Sequence, residues 1–277
     1  MLKQHLIRKK IKIAFANSVK NPPVIVFTAG KVGSSTVYSS LKNALPQSSL
    51  FHLHFLSEKG IEQAKLFFKR NNAKIPDHLI IAGFLSRKIR KQFDHVNWKI
   101  ITLVRDPIAQ ELSSVYQMAD RVNSDLFSKD SKSALLEQIQ YLKNRFSCFE
   151  ETNNSIINWF DRELKSCFGI DVYKYAFNHK DGYQIISQNN VKVLIIRLES
   201  MDTCFNRAIK QFLKIDEPII QLNSNFADQK WYNAQYKFVK NNLAITKRVC
   251  DKYYTTRYVQ HFYTRDMIQA LIEKWVG

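Results

Sequence analysis

Residues 24–44 read VIVFT at 24–28, AGKVGSS at 29–35 and TVYSSLKNA at 36–44. The first segment is a nearly continuous apolar run, which is typical of a parallel strand buried on both faces of a sheet. The glycine-containing segment predicts a turn, and Thr36–Ala44 predicts a helix. A strand, a turn and a helix in this order form the unit that builds parallel sheets covered by helices on both faces.

Similar units follow along the first half of the chain, and one more strand is predicted much later. The further predicted strands are Ser49–Phe55, His78–Ala82, Lys99–Val104 and Val191–Leu198. The predicted helices are Lys59–Asn71, Arg87–Phe93, most of Ser131–Asp171, Ala227–Asn242 and Thr264–Trp275. The pattern predicts an α/β fold of three layers, with a central parallel sheet and a helical C-terminal half.

The same pattern predicts one domain over residues 1–277. A basic N-terminal helix would occupy residues 1–20, and a core with the candidate ligand sites would occupy 22–120. A helical part at 121–277, with a further strand near 191–198, would cover the substrate and cofactor.

The chain is strongly basic, with 42 Lys and Arg residues against 24 Asp and Glu residues and a net charge of +18. Such an excess is typical of proteins that bind nucleic acid, an anionic membrane surface or a polyanionic small ligand. An AT-rich genome, which raises the lysine content of all its proteins, is the alternative explanation. The choice among these partners therefore depends on motifs.

The cysteines and the N-terminal segment favour a cytoplasmic protein. The four cysteines are scattered without a C-x-x-C pair, so we expect reduced thiols and no zinc site. No apolar run reaches the roughly 20 residues of a membrane-spanning helix. The segment MLKQHLIRKKIKIAFANS at 1–18 lacks the apolar centre of a signal peptide. It predicts a first helix with a solvated basic face, the alternative being peripheral contact with the inner membrane.

The turn after the first strand has the composition of an anion-binding loop. Backbone N–H groups and the helix dipole favour an anion at the start of a helix. The candidate residues are Lys31, Val32, Gly33, Ser34, Ser35 and Thr36. The order differs from the nucleotide motif G-x-x-x-x-G-K-[ST], because Lys31 precedes Gly33. An ordinary turn with capping serines is the alternative.

A second candidate anion site follows the predicted strand Lys99–Val104. Arg105 stands at its carboxyl end, with Asp106 as the expected cap of a helix that begins at Pro107, and Ser113 lies eight residues after Arg105. Ligands of such sheets bind outside the carboxyl ends of the strands, so we expect Lys31 and Arg105 to face one crevice. Two separate cationic sites fit a nucleotide with anionic groups at both its 5' and 3' positions. A surface salt bridge is the alternative for Arg105.

These two elements together resemble the sulfotransferase superfamily. The resemblance implies a P-loop-like sulfotransferase fold, with residues 22–120 as its nucleotide-binding core. It implies that Lys31–Thr36 hold the 5' end of 3'-phosphoadenosine 5'-phosphosulfate, and that Arg105 and Ser113 hold its 3'-phosphate. The product would be 3',5'-bisphosphoadenosine, and no metal would be required.

The later part of the chain resembles a bacterial group of capsular polysaccharide synthesis proteins with an Asn-Lys-Trp-Tyr-Ser signature. The corresponding stretch reads QKWYN at residues 229–233, and its outer two positions depart from the signature. The stretches WFDRELKSCFGIDVY and VLIIRLES are also similar to that group. The resemblance implies a carbohydrate acceptor, and no specific nucleic acid partner is expected. Lys230, Trp231 and Tyr232 either line the acceptor or nucleotide crevice or pack as a core aromatic pair with a solvated lysine.

Transfer to a hydroxyl requires a base, and two histidines are candidates. His52 and His54 lie two residues apart in a predicted strand, so their side chains point to the same face. The segment is similar to the His-x-His segment of heparan 2-O-sulfotransferases, in which a His is the base. We favour His54, which lies nearer the carboxyl end of the strand, with His52 assisting. Packing of one His within the sheet is the alternative, and Glu58 is a third candidate.

Two other function classes compete with sulfuryl transfer. The first is a nucleotide-dependent kinase on the same kind of sheet, which the missing Gly-Lys-[ST] order argues against. The second is a non-catalytic basic module that binds nucleic acid or an anionic glycan. A glycosyltransferase finds no support, because the sequence has no Asp-x-Asp metal motif.

Overall fold

The computed structural model describes residues 2–16, 22–45, 49–150, 156–222 and 230–276. The chain divides into two compact units, each made of two segments. The first unit contains Met1–Val104 and Trp159–Ser224, and the second contains Arg105–Asn158 and Asn225–Gly277. The organisation as a single domain stays a prediction.

The first unit is built on a five-stranded sheet. Its strands are β1 Val24–Phe27, β2 Leu50–Leu53, β3 Trp98–Val104, β4 Tyr183–Gln188 and β5 Val191–Arg197. Their order is β2-β1-β3-β5-β4, and all pairs are parallel except β4 with β5. All four residues of β1 are buried, as the apolar run predicts for a central strand. The α/β class and the mostly parallel sheet are therefore confirmed.

Helices occur in both units and make up most of the second unit. In chain order they are α1 Leu2–Ala16, α2 Ser34–Ala44, α3 Glu58–Arg70, α4 Asp77–Gln92, α5 Pro107–Gln117, α6 Ala119–Val122, α7 Ser124–Phe127, α8 Lys132–Ser147, α9 Ser166–Phe168, α10 Met201–Leu213, α11 Asn233–Asn242, α12 Lys247–Tyr254, α13 Arg257–Phe262 and α14 Arg265–Trp275. A π-helix, Phe160–Lys165, leads directly into α9. The described helices of the second unit are α5–α8 and α11–α14.

Helices of the first unit cover both faces of the sheet, as predicted. Phe15 of α1 packs against Phe51 of β2, with ring centroids 6.3 Å apart. Tyr38 of α2 stacks on His52, the next residue of the same strand, at 5.3 Å. Because neighbouring residues of a strand point to opposite faces, α1 and α2 lie on opposite sides of the sheet.

The predicted strand His78–Ala82 is wrong, because this segment forms the start of α4. The predicted short helix Arg87–Phe93 is the end of that same helix. The buried residues of α4 recur at helical spacing, namely Leu79, Ala82, Leu85, Ser86 and Ile89. The short apolar run LIIA is compatible with either element, and the longer helical period decides between them.

The sheet also contains a strand that the sequence did not predict. Tyr183–Gln188 forms β4, an antiparallel edge strand, so the sheet is not wholly parallel. Only Tyr183 and Ile186 of its six residues are buried, which leaves a weak apolar pattern. The predicted strand Ser49–Phe55 is shorter than expected and ends at Leu53. His54 therefore lies just beyond the carboxyl end of β2.

Other helix boundaries in the structure differ from the predicted ones by a few residues. Helix α2 begins at Ser34 rather than at Thr36, so two of the candidate serines lie in its first turn. The predicted helical segment Ser131–Asp171 contains α8, the π-helix and α9, and its residues 151–155 lie outside the described part of the chain. In the segment Ala227–Asn242 the helix begins at Asn233, and residues 227–229 are likewise outside the described part.

Candidate active site in the first unit

The candidate phosphate loop connects β1 to the N-terminus of α2. Thr28 N donates to Leu53 O at 3.1 Å, which joins the start of the loop to the end of β2. Two residues of the loop have left-handed backbone conformations, Lys31 with φ 64° and Gly33 with φ 86°. Left-handed and right-handed residues in succession turn backbone N–H groups toward one concave side, which is a common way to bind anions. The loop thus has the backbone geometry that an anion site needs.

Gly33 is required at its position for two physical reasons. Its positive φ is a conformation that other residues adopt at a cost. A Cβ atom on Gly33 would also lie 2.6 Å from Cδ1 of Leu198, which follows β5 in the same unit. Gly33 therefore has a packing requirement in addition to its predicted place in the anion-binding loop.

The remaining loop residues divide into buried and exposed side chains. Val32 is fully buried, so only its backbone is available to a ligand. Ser34 and Thr36 are buried as well, whereas Ser35 is exposed. Lys31 is half-buried. Lys31 and Ser35 therefore have the polar side chains best placed to contact a ligand. The hydroxyl of Ser34 is buried and contacts His52 instead.

His52 is joined to the loop by a direct hydrogen bond. Its Nε2 lies 2.8 Å from Oγ of Ser34, the first residue of α2. Burial, followed by the nearby His54 and His78, lowers the pKa of His52 from 6.5 to about 3. The imidazole is therefore neutral at neutral pH, and its hydrogen bond connects β2 to the start of α2.

His54 lies beside His52, with ring centroids 5.1 Å apart. Its Nδ1 is 2.9 Å from the carbonyl oxygen of Thr28. A carbonyl only accepts hydrogen bonds, so Nδ1 carries the proton and Nε2 keeps its lone pair. Burial, opposed by the Thr28 hydrogen bond and reinforced by His78 and Lys31, lowers the pKa of His54 to about 4. The structure thus gives His54 the tautomer that a general base acting through Nε2 requires.

His78 is a third histidine of this cluster that sequence reasoning missed. It is the second residue of α4, and its ring centroid lies 5.9 Å from that of His54. Burial lowers its pKa, and the neighbouring Asp77 partly opposes this effect. Pro76 followed by Asp77 was an available signal of a helix start, and it would have placed His78 in a first turn.

The segment that contains the π-helix holds the backbone around His54. Trp159, immediately before the π-helix, donates from Nε1 to the His54 carbonyl oxygen at 2.9 Å. The Glu163 carboxylate accepts from Leu56 N at 2.8 Å, from Ser57 N at 2.9 Å and from Ser57 Oγ at 2.7 Å. Glu163 is almost fully buried, and this burial raises its pKa. The four residues from His54 to Ser57 are therefore fixed by side chains more than 100 positions later in the sequence.

Gly60 shows how closely Glu163 approaches α3. A Cβ atom at Gly60 would lie 1.9 Å from Oε1 of Glu163 and 2.8 Å from Oγ of Ser57. Gly60 N also donates to Ser57 Oγ at 3.0 Å, which caps α3. Only a glycine leaves room for the carboxylate at this point.

Glu58, the third candidate base, is engaged elsewhere. It is exposed and forms an ion pair with Arg90 of α4. Both residues line a cavity of about 460 Å³ together with Ser57, Arg162 and Cys167. To act as a base, Glu58 would first have to leave this ion pair, so the geometry favours the histidines.

Arg105 and Ser113 belong to the second unit. Tyr258 holds the Arg105 backbone, because its hydroxyl accepts from Arg105 N at 2.9 Å and donates to Arg105 O at 3.0 Å. The Arg105 side chain is half-buried, and so is Ser113 on α5. Lys31 belongs to the first unit, so the shared crevice of Lys31 and Arg105 stays a prediction.

The predicted cap of α5 is confirmed. The Asp106 carboxylate accepts from Ile108 N at 3.1 Å, and Pro107 is the first residue of the helix. It also accepts from the Tyr254 hydroxyl at 3.0 Å and from Trp275 Nε1 at 2.8 Å. Burial raises the pKa of Asp106. This carboxylate is therefore committed to structural hydrogen bonds.

The signature residues Lys230, Trp231 and Tyr232 form the turn before α11 in the second unit. The half-buried Tyr232 ring packs 5.7 Å from that of Tyr116, and a place of this residue in a ligand crevice stays a prediction. Lys230 is exposed, and Trp231 is 58% exposed. Gln229, the first position of the stretch, lies outside the described residues.

The described residues contain neither a cluster suited to a metal ion nor a helix able to cross a membrane. None of the His, Cys, Asp and Glu side chains described there forms a group of three or more that could hold a metal ion. In the same part of the chain, every helix is too short or too polar to cross a membrane. The four cysteines are free thiols, with Cys204 and Cys250 buried. The independence from metal stays a prediction.

Comparison with known proteins gives one match. No curated protein and no solved structure matches the chain. Residues 130–264, a little less than half of the chain, match the model of the NKWYS family, described as "Putative capsular polysaccharide synthesis protein". This matched region contains Trp159, Glu163 and the turn Lys230–Tyr232. Lys31, His52 and His54 lie before it.

Proposed function

We propose that this chain is a sulfotransferase that moves a sulfuryl group from 3'-phosphoadenosine 5'-phosphosulfate to a hydroxyl of a capsular or surface polysaccharide. The family match over residues 130–264 supports a role in polysaccharide synthesis. The nucleotide and the reaction rest on the loop at Lys31–Thr36, on Arg105 with Ser113, and on the resemblance that these motifs carry.

The observation that carries the proposal is the state of His54 beside the phosphate loop. Its Nδ1 donates to Thr28 O, so its Nε2 lone pair is the available proton acceptor. The cationic Lys31 is close enough to lower its pKa. A neutral base next to a cationic, N–H-lined loop is what transfer from an anionic donor to a hydroxyl requires.

The residues of the first unit fit the 5' end of such a nucleotide. Lys31 supplies a positive charge, and the left-handed residues Lys31 and Gly33 open the start of α2 toward an anion. The nucleotide, when bound, supplies an activated sulfuryl group whose leaving group is a phosphate oxygen. Lys31 and the N–H groups of the loop would stabilise the negative charge that develops there.

His54 would accept the proton of the attacking hydroxyl at Nε2. With a pKa of about 4, it is a weak base. An anionic ligand at the loop would offset the charge of Lys31, which is the smallest of the effects on this pKa, and would raise the pKa of His54 only slightly. Burial, the largest effect, would still hold this pKa below its ordinary value. In this proposal, Arg105 and Ser113 hold the 3'-phosphate.

Isothermal calorimetry with 3',5'-bisphosphoadenosine tests the proposal, with adenosine diphosphate as the comparison ligand. We expect bisphosphoadenosine to bind at least about tenfold more tightly, because only it has a 3'-phosphate for Arg105. Lys31→Ala should abolish this binding, whereas Lys42→Ala, at the exposed far end of α2, should leave it unchanged. Equal affinity for the two ligands would contradict the proposal. Equal losses in the two lysine variants would indicate a basic surface without a nucleotide pocket.

A further inference from the structure

We propose that the outer face of α1 is a docking surface for an anionic lipid bilayer. This surface belongs to the first unit, and its docking is independent of the proposed sulfuryl transfer. Its basis is two large apolar side chains that point away from the protein and the exposed lysines beside them.

Helix α1 has a well-defined inner face. Ile7, Ile11 and Phe15 recur every four residues and are all buried. The Phe15 ring lies 5.7 Å from that of Trp98 and 6.3 Å from that of Phe51, which anchors the helix to the sheet. The orientation of α1 about its own axis is therefore fixed by packing.

The opposite face of α1 carries apolar residues that packing does not explain. Leu6 is 52% exposed and Ile13 is 62% exposed. They lie seven residues apart, which is two turns of the helix, with exposed Lys9 between them at positions i+3 and i−4. Leu6, Lys9 and Ile13 thus form one outward stripe, which we call the α1 stripe.

Exposed basic side chains of the same helix accompany the α1 stripe. Lys9 lies within the stripe, and Lys12, next to Ile13 in the chain, is also exposed. Arg8 is exposed as well and lies over the ring of Phe84 of α4 at 4.7 Å. The positive charge of this surface therefore comes from α1 itself.

This combination fits the interface of an anionic bilayer better than it fits other partners. A helix of 15 residues is too short to span a bilayer but can lie flat in its headgroup region. There, Leu6 and Ile13 would enter the acyl boundary while lysines meet anionic headgroups. A nucleic acid would use the basic groups and leave the two apolar side chains in water. The complementary ligand is accordingly a surface that is both apolar and anionic.

Vesicle co-sedimentation of the full chain tests the proposal. We expect binding to vesicles of phosphatidylcholine mixed with phosphatidylglycerol, and much weaker binding to phosphatidylcholine alone. The variant L6S/I13S should lose at least about tenfold in binding to the mixed vesicles. The matched control is L66S/L136S, because Leu66 and Leu136 are 50% and 53% exposed on α3 and α8. This control should bind like the unmodified chain.

Several outcomes would overturn the proposal. One is equal vesicle binding by L6S/I13S and the unmodified chain, and another is no binding by the unmodified chain. A third is binding to duplex DNA that falls in parallel with vesicle binding in L6S/I13S. Circular dichroism and the thermal midpoint confirm that each variant is folded. The affinity of L6S/I13S for bisphosphoadenosine should equal that of the unmodified chain. A loss of vesicle binding would then concern α1 and not the proposed nucleotide site.

Discussion

Replacing Glu163 by alanine should destabilise the first unit and release the backbone that follows His54. The change removes the acceptor of three hydrogen bonds, from Leu56 N, Ser57 N and Ser57 Oγ. Leaving one buried donor unsatisfied costs about 1–3 kcal/mol. For the two backbone N–H groups together, the free energy of unfolding would fall by ~2–6 kcal/mol if both stayed unsatisfied. Because Leu56, Ser57 and Glu163 line the cavity of about 460 Å³, water can reach them in the variant. We therefore expect a loss of ~2–4 kcal/mol in the free energy of unfolding.

Urea denaturation followed by circular dichroism measures this loss. The matched control is Asp161→Ala, two positions earlier on the same π-helix, where the carboxylate is partly exposed and lies 4.0 Å from Lys165. Breaking such a surface pair should cost about 0.5 kcal/mol or less. The imidazole signals of His54 in nuclear magnetic resonance spectra should also move in Glu163→Ala and stay in place in Asp161→Ala. Equal stability of the two variants would refute the role assigned to Glu163.

Three further predictions concern the loop and the histidines. His54→Ala should abolish sulfuryl transfer but leave the calorimetric affinity for bisphosphoadenosine nearly intact, and retained turnover would remove His54 from the role of base. Gly33→Ala should lower the free energy of unfolding by ~1–3 kcal/mol, because Gly33 has a φ of 86° and a Cβ there would meet Leu198. The control Gly30→Ala should be nearly neutral, since a Cβ at Gly30 would meet no atom within 4 Å. The folded-state pKa values of His52 and His54, about 3 and about 4, lie below the ordinary 6.5, so the unfolded chain binds more protons between these values. The two histidines should therefore lower the free energy of unfolding as the pH falls from 6.5 toward 4, by about 3 kcal/mol for His54, whereas the raised pKa values of Asp106 and Glu163 act in the opposite direction. Titration of the two imidazoles by nuclear magnetic resonance isolates their share, and pKa values near 6.5 for both would contradict the burial of the rings.

Much of the fold follows from local sequence patterns. The apolar runs at 24–28, 99–104 and 191–198 became β1, β3 and β5, and the turn after β1 leads into α2 as expected. The pairing of Asp106 with Pro107 predicted the start of α5, which the side-chain hydrogen bond to Ile108 N confirms. Such features are encoded within a few neighbouring residues, because strand, helix and cap preferences depend on local backbone geometry.

Errors arose where the local pattern was ambiguous or weak. His78–Ala82 contains too few residues to separate the period of a strand from that of a helix, and it belongs to α4. The edge strand β4 has few buried residues, so its apolar pattern is faint. The misreading of α4 also concealed His78, which the fold brings beside His54.

The class of the fold, the place of the candidate phosphate loop and the choice of His52 and His54 follow from the sequence alone, because each depends on residues close together in the chain. The chemical state of the site depends instead on tertiary contacts. The proton of His54 is placed at Nδ1 by Thr28, 26 positions away, and its backbone is held by Trp159, 105 positions away. Burial then sets the pKa values of both rings. Contacts over such separations arise from packing of the whole unit, and no local pattern of residues encodes them.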